Sequence, residues 1–426
     1  MTVDVLRRPA SADRQARVAV AVLFFTNGAL FANLLPRYPQ IKADLGMGNA
    51  AYGLAVAAFP AGAIAAGLAA GVVIRRMGSA RAAVTGTLLT GAGTLVAGLA
   101  DSVVLFAGAL FLAGAMDAVT DVAQNAHGLR VQRRYGRSII NSFHAIWSIG
   151  AVTGGSMAAA AIALDLSRGR HLTVSAVVFA VAVCVALRFC LSGPETETEP
   201  KLGTGGDAGT ETVVDIGSAQ GPAAESGPGS RGERRVGPPT AGRRTAYVLG
   251  ALVLIATAGT LVEDAGSSWA ALYLSGSLSA SVTLAACGYI ALVGAQFVGR
   301  IIGDRLVDRF GQRTVARAGG LVVVAGMGLA LAVPTVPGTI AGFAAAGFGV
   351  ATLVPAAMHE ADELPGLKPG SGLATVSWLM RLGFLLSPPV VGLVADAAGL
   401  RVGLLVVPFA GLLVLLLAGV LQPGRR

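Results

Sequence analysis

The 426 residues are 54% hydrophobic and only 13% charged, with a mean hydropathy of +0.70. Soluble chains carry about 25% charged residues, so a water-soluble globular fold is excluded. The formal charge of +9 sits in alternate loops with no aromatic-basic patch beside it, which argues against a nucleic-acid partner.

In chain order, Arg7, Arg8, Arg14 and Arg17 precede an apolar run over residues 18–35. That run is too long for a signal-peptide core and lacks a clean cleavage site, so it reads as an uncleaved first span. Eleven more apolar runs follow, each able to cross a hydrocarbon layer of roughly 30 Å. The pattern predicts helices over 18–36, 51–74, 82–100, 103–126, 139–163, 172–191, 246–266, 282–303, 315–333, 338–358, 372–396 and 401–421. Basic residues gather in alternate connections: Arg75, Arg76 and Arg81, then Arg130, Arg133, Arg134 and Arg137, then Arg305, Arg309, Arg313 and Arg317. The positive-inside rule then puts both termini in the cytoplasm of a multi-pass cell-membrane protein. Cys184, Cys190 and Cys287 lie in apolar segments and read as buried small hydrophobes.

Residues 192–244 interrupt the pattern, with no aromatic residue and about a third Gly or Pro. Such a segment cannot bury enough apolar surface to offset its ordering entropy, and is expected to be a disordered cytoplasmic linker. Its flanks look duplicated: Gly78 and Gly311 stand 233 positions apart, as do Gly150 and Gly383. The expected organisation is a six-helix half over 1–191, the linker, and a second half over 245–426. The fold class is an all-α membrane protein, two pseudo-twofold-related six-helix bundles with a site between them near the midplane.

Residues 299–313 (GRIIGDRLVDRFGQR) resemble the cytoplasmic loop signature of the major facilitator superfamily, and residues 67–81 (GLAAGVVIRRMGSAR) resemble a degraded copy. The resemblance implies a cytoplasmic gating motif of Asp304, Asp308, Arg309, Gly311 and Arg313, in which Asp308 and Arg309, with Asp304 nearby, bridge helix ends; Gly78 belongs to the first-half copy. Arg75 replaces the usual Asp in the first half. Three stretches are similar to the branch holding fucose–proton symporters: 116–128 (MDAVTDVAQNAHG), 142–150 (SFHAIWSIG) and 263–269 (EDAGSSW). That likeness transfers no sugar substrate.

Four acidic residues, Asp117, Asp121, Glu263 and Asp264, fall in the interior of predicted spans. A charge near the bilayer centre costs at least about 2.5–3.5 kcal/mol, so each needs a partner, a wet cavity or a proton. Asp117, Asp121, Gln124 and Asn125 share one helical stripe, readable as a proton carrier with solute-contacting amides or as structural pairing with Arg130. On the fifth span Asn141, His144 and Ser148 share a face beside Trp147, suiting a proton relay or a helix-packing contact. Glu263 and Asp264 point about 100° apart and are expected not to face a cavity together unless Gly266, Ser267 and Ser268 break the helix. Arg381, equivalent to Ser148 by the 233 offset, is the basic residue placed deepest in a span. Asn27, Gln296 and Arg300 complete the candidates.

These features predict a secondary active transporter of a small organic solute, working by alternating access with protons as the coupling ion. A sugar or a small polar or anionic metabolite is favoured, with proton-driven drug or metabolite export as the alternative. A membrane enzyme and a non-transporting sensor are weaker readings: no nucleophile elbow, metal cluster or Walker lysine motif occurs. No cofactor is expected, and the chain is expected to act as a monomer in the lipid bilayer.

Overall fold

The computed structural model describes residues 11–67, 69–135, 139–191, 242–367 and 371–422, apart from the side chains of Asn141 and Asp304. The linker expected over 192–244 therefore lies almost wholly outside the described residues. Twelve described helices are long and apolar enough to cross a membrane. They are α1 (Ser11–Asp44), α2 (Asn49–Gly67), α3 (Ser79–Leu99), α4 (Val103–Tyr135), α5 (Ser142–Ala163) and α6 (Arg168–Leu187). The second bundle holds α7 (Arg243–Ser277), α8 (Val282–Gly303), α9 (Gln312–Ala332), α10 (Val336–Asp362), α11 (Ser371–Ala398) and α12 (Leu400–Val420).

All twelve expected spans are present, but several helices run beyond their apolar stretch. The α4 helix continues to Tyr135, carrying Arg133 and Arg134, and the helix of α8 continues to Phe310. Hydropathy marks only the lipid-facing length, whereas helical hydrogen bonding goes on until a residue stops it. At two equivalent places that residue is glycine. Gly78 (φ 83°, ψ 150°) and Gly311 (φ 80°, ψ 154°) each end one helix and begin the next. A Cβ is disfavoured at such a φ, so the 233-residue spacing reflects one turn built twice.

The two bundles also pack alike. A Cβ on Gly150 would run into the carbonyl oxygen of Phe25, and one on Gly383 into Thr260 Oγ1. Each glycine thus lets the fifth helix of its half lie against the first. In lipid, close packing of this kind drives helix association, because apolar surface gains nothing by leaving the tails. Val104 (84% exposed) and Leu416 (73% exposed) accordingly face outward. The cysteines correct the sequence reading for the same reason: Cys184 is exposed, and Cys190 and Cys287 are half-buried.

Two helices depart from expectation. The α-helical part of α7 runs unbroken from Arg243 to Leu272, and only then changes to a π-turn over Tyr273–Ser277. No break occurs at Gly266-Ser267-Ser268. Ser267 donates to the Glu263 carbonyl at 2.8 Å and Ser268 to Asp264 Oδ1 at 3.4 Å, so both hydroxyls are satisfied within the helix. In α11 the interruption falls at Met380, between Ser371–Leu379 and Arg381–Ala398. The Met380 carbonyl accepts from Thr260 Oγ1 at 2.8 Å and from the Gly383 amide at 2.9 Å. A neighbouring hydroxyl therefore supports the backbone where the helix loosens, as irregular backbone at membrane depth requires.

The ends of the molecule differ. Ser11 and Gln422 mark one, called here the terminal end; the opposite, far end holds the connections after α1, α7 and α11. At the far end the halves meet. Asp396 of α11 accepts from the Asn49 and Ala50 amides of α2, and Tyr52 Oη donates to the Ser268 carbonyl at 2.7 Å. Gly53 lies so close to Pro388 that a Cβ would strike its carbonyl oxygen, and Gly155 of α5 sits against Tyr289 of α8.

Candidate functional site

Below this seal a cavity of about 640 Å³ separates the halves, walled by α1, α2, α4 and α5 on one side and α7, α8 and α11 on the other. Its apolar wall includes Phe31 stacked on Phe59 (centroids 4.1 Å apart), with Trp378 and Phe384 opposite. Asp121 and Trp378, on the terminal-end side of the wall, keep surface that the described residues leave uncovered, so the cavity opens toward that end.

Asn27 organises the polar wall of the first half. Its Nδ2 donates to Asp117 Oδ1 at 2.7 Å, while its Oδ1 accepts from Trp147 Nε1 at 2.8 Å and from Gln124 Nε2 at 3.5 Å. Three helices thus converge on one amide. Trp147 is fixed by its indole N–H and still presents its ring to the cavity. One turn further on, Asp121 accepts from Asn125 Nδ2 at 3.0 Å and lies within electrostatic range of His144 and Arg381.

The second half supplies Glu263, Asp264 and Arg381. Both α7 carboxylates line the cavity from an unbroken helix, correcting the expectation that only one could. The cavity wraps far enough around α7 for a 100° separation to be accommodated. Glu263 Oε2 accepts from Gln296 Nε2 at 2.7 Å and lies 3.8 Å from Arg300. Asp264 is 9% exposed, is approached by Ser268, and keeps one buried oxygen without a hydrogen bond among the described residues. Arg381 begins the far-end segment of α11, lines the cavity beside Gly67, and forms no ion pair among the described residues.

The cavity wall therefore brings together Asn27, Asp117, Asp121, Trp147, Glu263, Asp264 and Arg381. Gln124, Asn125 and Gln296 stand behind it and hold those groups, and His144 packs edge-on to Phe24 (centroids 5.3 Å apart). The loop motif lies elsewhere, at the terminal end. Asp308 is exposed, Arg309 covers the Phe310 ring at 5.3 Å, and Arg313 Nε donates to the Leu421 carbonyl at 3.0 Å. Arg75 is exposed in the short helix Ala70–Met77 that follows α2, and the Asp304 side chain lies outside the described residues.

Sequence reasoning passed over Thr260 and Asp396. Thr260 was findable, since the 233 offset makes it the counterpart of Asn27, just as Met380 is the counterpart of Trp147. Both pairs join the first and fifth helices of their halves. Asp396 gave no such signal, because it ends a predicted span where a carboxylate reaches water.

Known proteins place this arrangement. An uncharacterized transporter of Sinorhizobium fredii, y4wD, is 28% identical over 405 residues, covering 95% of this chain and 97% of its own. The membrane protein MosC of Rhizobium meliloti is 27% identical over 397 residues, covering 93% and 88%. Among solved structures, a mutant of the nucleoside transporter NupG superposes with a TM-score of 0.70 at 11% identity, covering 95% of this chain and 98% of that one. A D-xylose-proton symporter gives 0.65 at 15% identity, covering 95% and 96%. At such identities the likeness to solved structures is one of fold. The Major Facilitator Superfamily model matches residues 20–305, and with twelve spans and a cavity between two bundles the chain belongs to that superfamily, a family of transporters and not of enzymes.

Proposed function

We propose that the chain carries a small organic solute by proton-coupled alternating access, with Asp117 as the proton carrier and Arg381 as a solute-binding group. The observation that carries this reading is the cavity between the halves, sealed at the far end and walled by carboxylates of both halves. A solute held there touches α1, α4 and α5 on one side and α7 and α11 on the other. Rocking of the halves then exchanges the sealed end. Asp117 suits the proton because Asn27 holds one of its oxygens in place while the residue lines the cavity. Arg381 suits a polar or anionic solute group because it lines the cavity and forms no ion pair among the described residues, with Asp121 only within electrostatic range.

With the basic connections inside, the terminal end is cytoplasmic and this conformation is inward-open, in a cell membrane and as a monomer. The halves 1–191 and 245–426 move as bodies joined through 192–244. The sugar or small polar or anionic metabolite reading draws on Arg381 and on the carboxylates and Asn27 of the cavity wall. The Phe31–Phe59 stack with Trp378 and Phe384 favours a second reading, export of an amphipathic drug or metabolite.

The test is a thermal-shift screen of the purified protein against sugars, organic acids and drugs, since a ligand of the folded state stabilises it by mass action. Hits are then followed in proteoliposomes with an imposed pH gradient. Flux of a hit that ignores the gradient removes proton coupling; binding without flux removes transport.

A further inference from the structure

The first amide groups of a helix have no intrahelical acceptor and are normally capped by a Ser, Thr, Asn or Asp side chain at the N-cap. The second helices of the two halves start at equivalent places, Gly48 and Ser281, 233 positions apart. They are capped differently. Ser281 Oγ accepts from the Leu284 amide at 3.3 Å, so α8 caps itself. Gly48 has no side chain to offer, and α2 has no cap of its own.

Its acceptor comes from the other half. Asp396 Oδ1 accepts from the Asn49 amide at 2.9 Å and Oδ2 from the Ala50 amide at 2.8 Å, across 347 and 346 residues of sequence. Both oxygens are engaged, and the carboxylate sits at the positive end of the α2 dipole. The position equivalent to Asp396 in the first half is Ala163, so the pairing of α5 with α8 has no such bridge. Close packing surrounds the contact: Gly392 lies against the Asn49 carbonyl and Gly53 against the Pro388 carbonyl.

We propose that Asp396 is a borrowed, state-dependent N-cap for α2, which favours the conformation sealed at the far end. When the halves part there, Asn49 and Ala50 lose their acceptor to water, whereas α8 keeps Ser281 in every state. Asp396 is a positioning residue: it acts through α2 on the balance of conformations and touches no solute. The inference rests on the alternating access proposed above.

The experiment reads conformation directly, so failed transport and a failed cap are distinguishable. In a full-length variant with Cys184, Cys190 and Cys287 replaced by Ser, spin labels go on Ala43→Cys and Ala398→Cys, both exposed at the far end. Distance distributions are measured in nanodiscs. Asp396→Ala should raise the ratio of open to sealed far end several-fold, and Asp396→Asn, which can still accept one hydrogen bond, should fall between. Ser281→Ala should lower the unfolding temperature while leaving that ratio unchanged, because its cap exists in both states. Unchanged distances in Asp396→Ala overturn the proposal, and so does an equal shift in Ser281→Ala. If Asp396→Ala fails to fold, the graded comparison rests on Asp396→Asn, and an unshifted distribution there overturns it.

Discussion

Asn27 Nδ2 lies 2.7 Å from Asp117 Oδ1, joining the first and fourth helices inside the cavity wall. The same amide holds Trp147, so the candidate proton carrier and an aromatic wall residue share one support.

Asp117→Asn keeps the size of the side chain and removes the exchangeable charge. The expected outcome is a normally folded protein in which uptake no longer responds to an imposed pH gradient. Flux in proteoliposomes with and without the gradient, beside an unfolding curve, checks it.

Asn27→Ala deprives Trp147 and Gln124 of their acceptor and Asp117 of its donor. Leaving buried polar groups unpaired costs about 1–3 kcal/mol each, whereas single hydrogen bonds in membrane bundles average about 0.6 kcal/mol. A loss of stability of roughly 1–2 kcal/mol is expected. Trp147→Phe, which frees only one contact, should lose less; equilibrium unfolding in mixed detergent measures both.

Glu263 holds Gln296 at 2.7 Å and draws Arg300 to 3.8 Å. Glu263→Gln should preserve the hydrogen bond and release Arg300, altering solute affinity with little change in stability. Calorimetric titration of a solute identified by screening reports the change.

Arg381→Ala should weaken binding of an anionic or polar solute by about tenfold or more, since a charged hydrogen bond contributes about 1.5–3 kcal/mol. Arg381→Lys should recover part of the affinity. A neutral apolar hit should bind both variants like the parent, which a parallel titration tests.

Gly53→Val places a branched side chain against the Pro388 carbonyl. The far end should then fail to seal, giving turnover near zero with the protein still folded. The distance between spin labels on Ala43→Cys and Ala398→Cys should lengthen relative to the parent.

Much of this architecture was legible in the sequence because the bilayer sets the apolar length that every span needs. Twelve spans, two matching halves, the turns at Gly78 and Gly311, and Arg381 in the central interface were all readable there. Spacing along one helix also placed Asp117 and Asp121 on a shared stripe. Spacing says less about how far a cavity wraps around a helix, which is why Glu263 and Asp264 together, and the continuity of α7 through Ser267 and Ser268, escaped it. Only the tertiary structure raised Asn27 from a minor candidate to the support of Asp117, and only it paired Asp396 with Gly48's helix. Those contacts join residues 90 and 347 apart in sequence. A helical period fixes where a side chain points from its own axis; the packing of other helices decides what it meets.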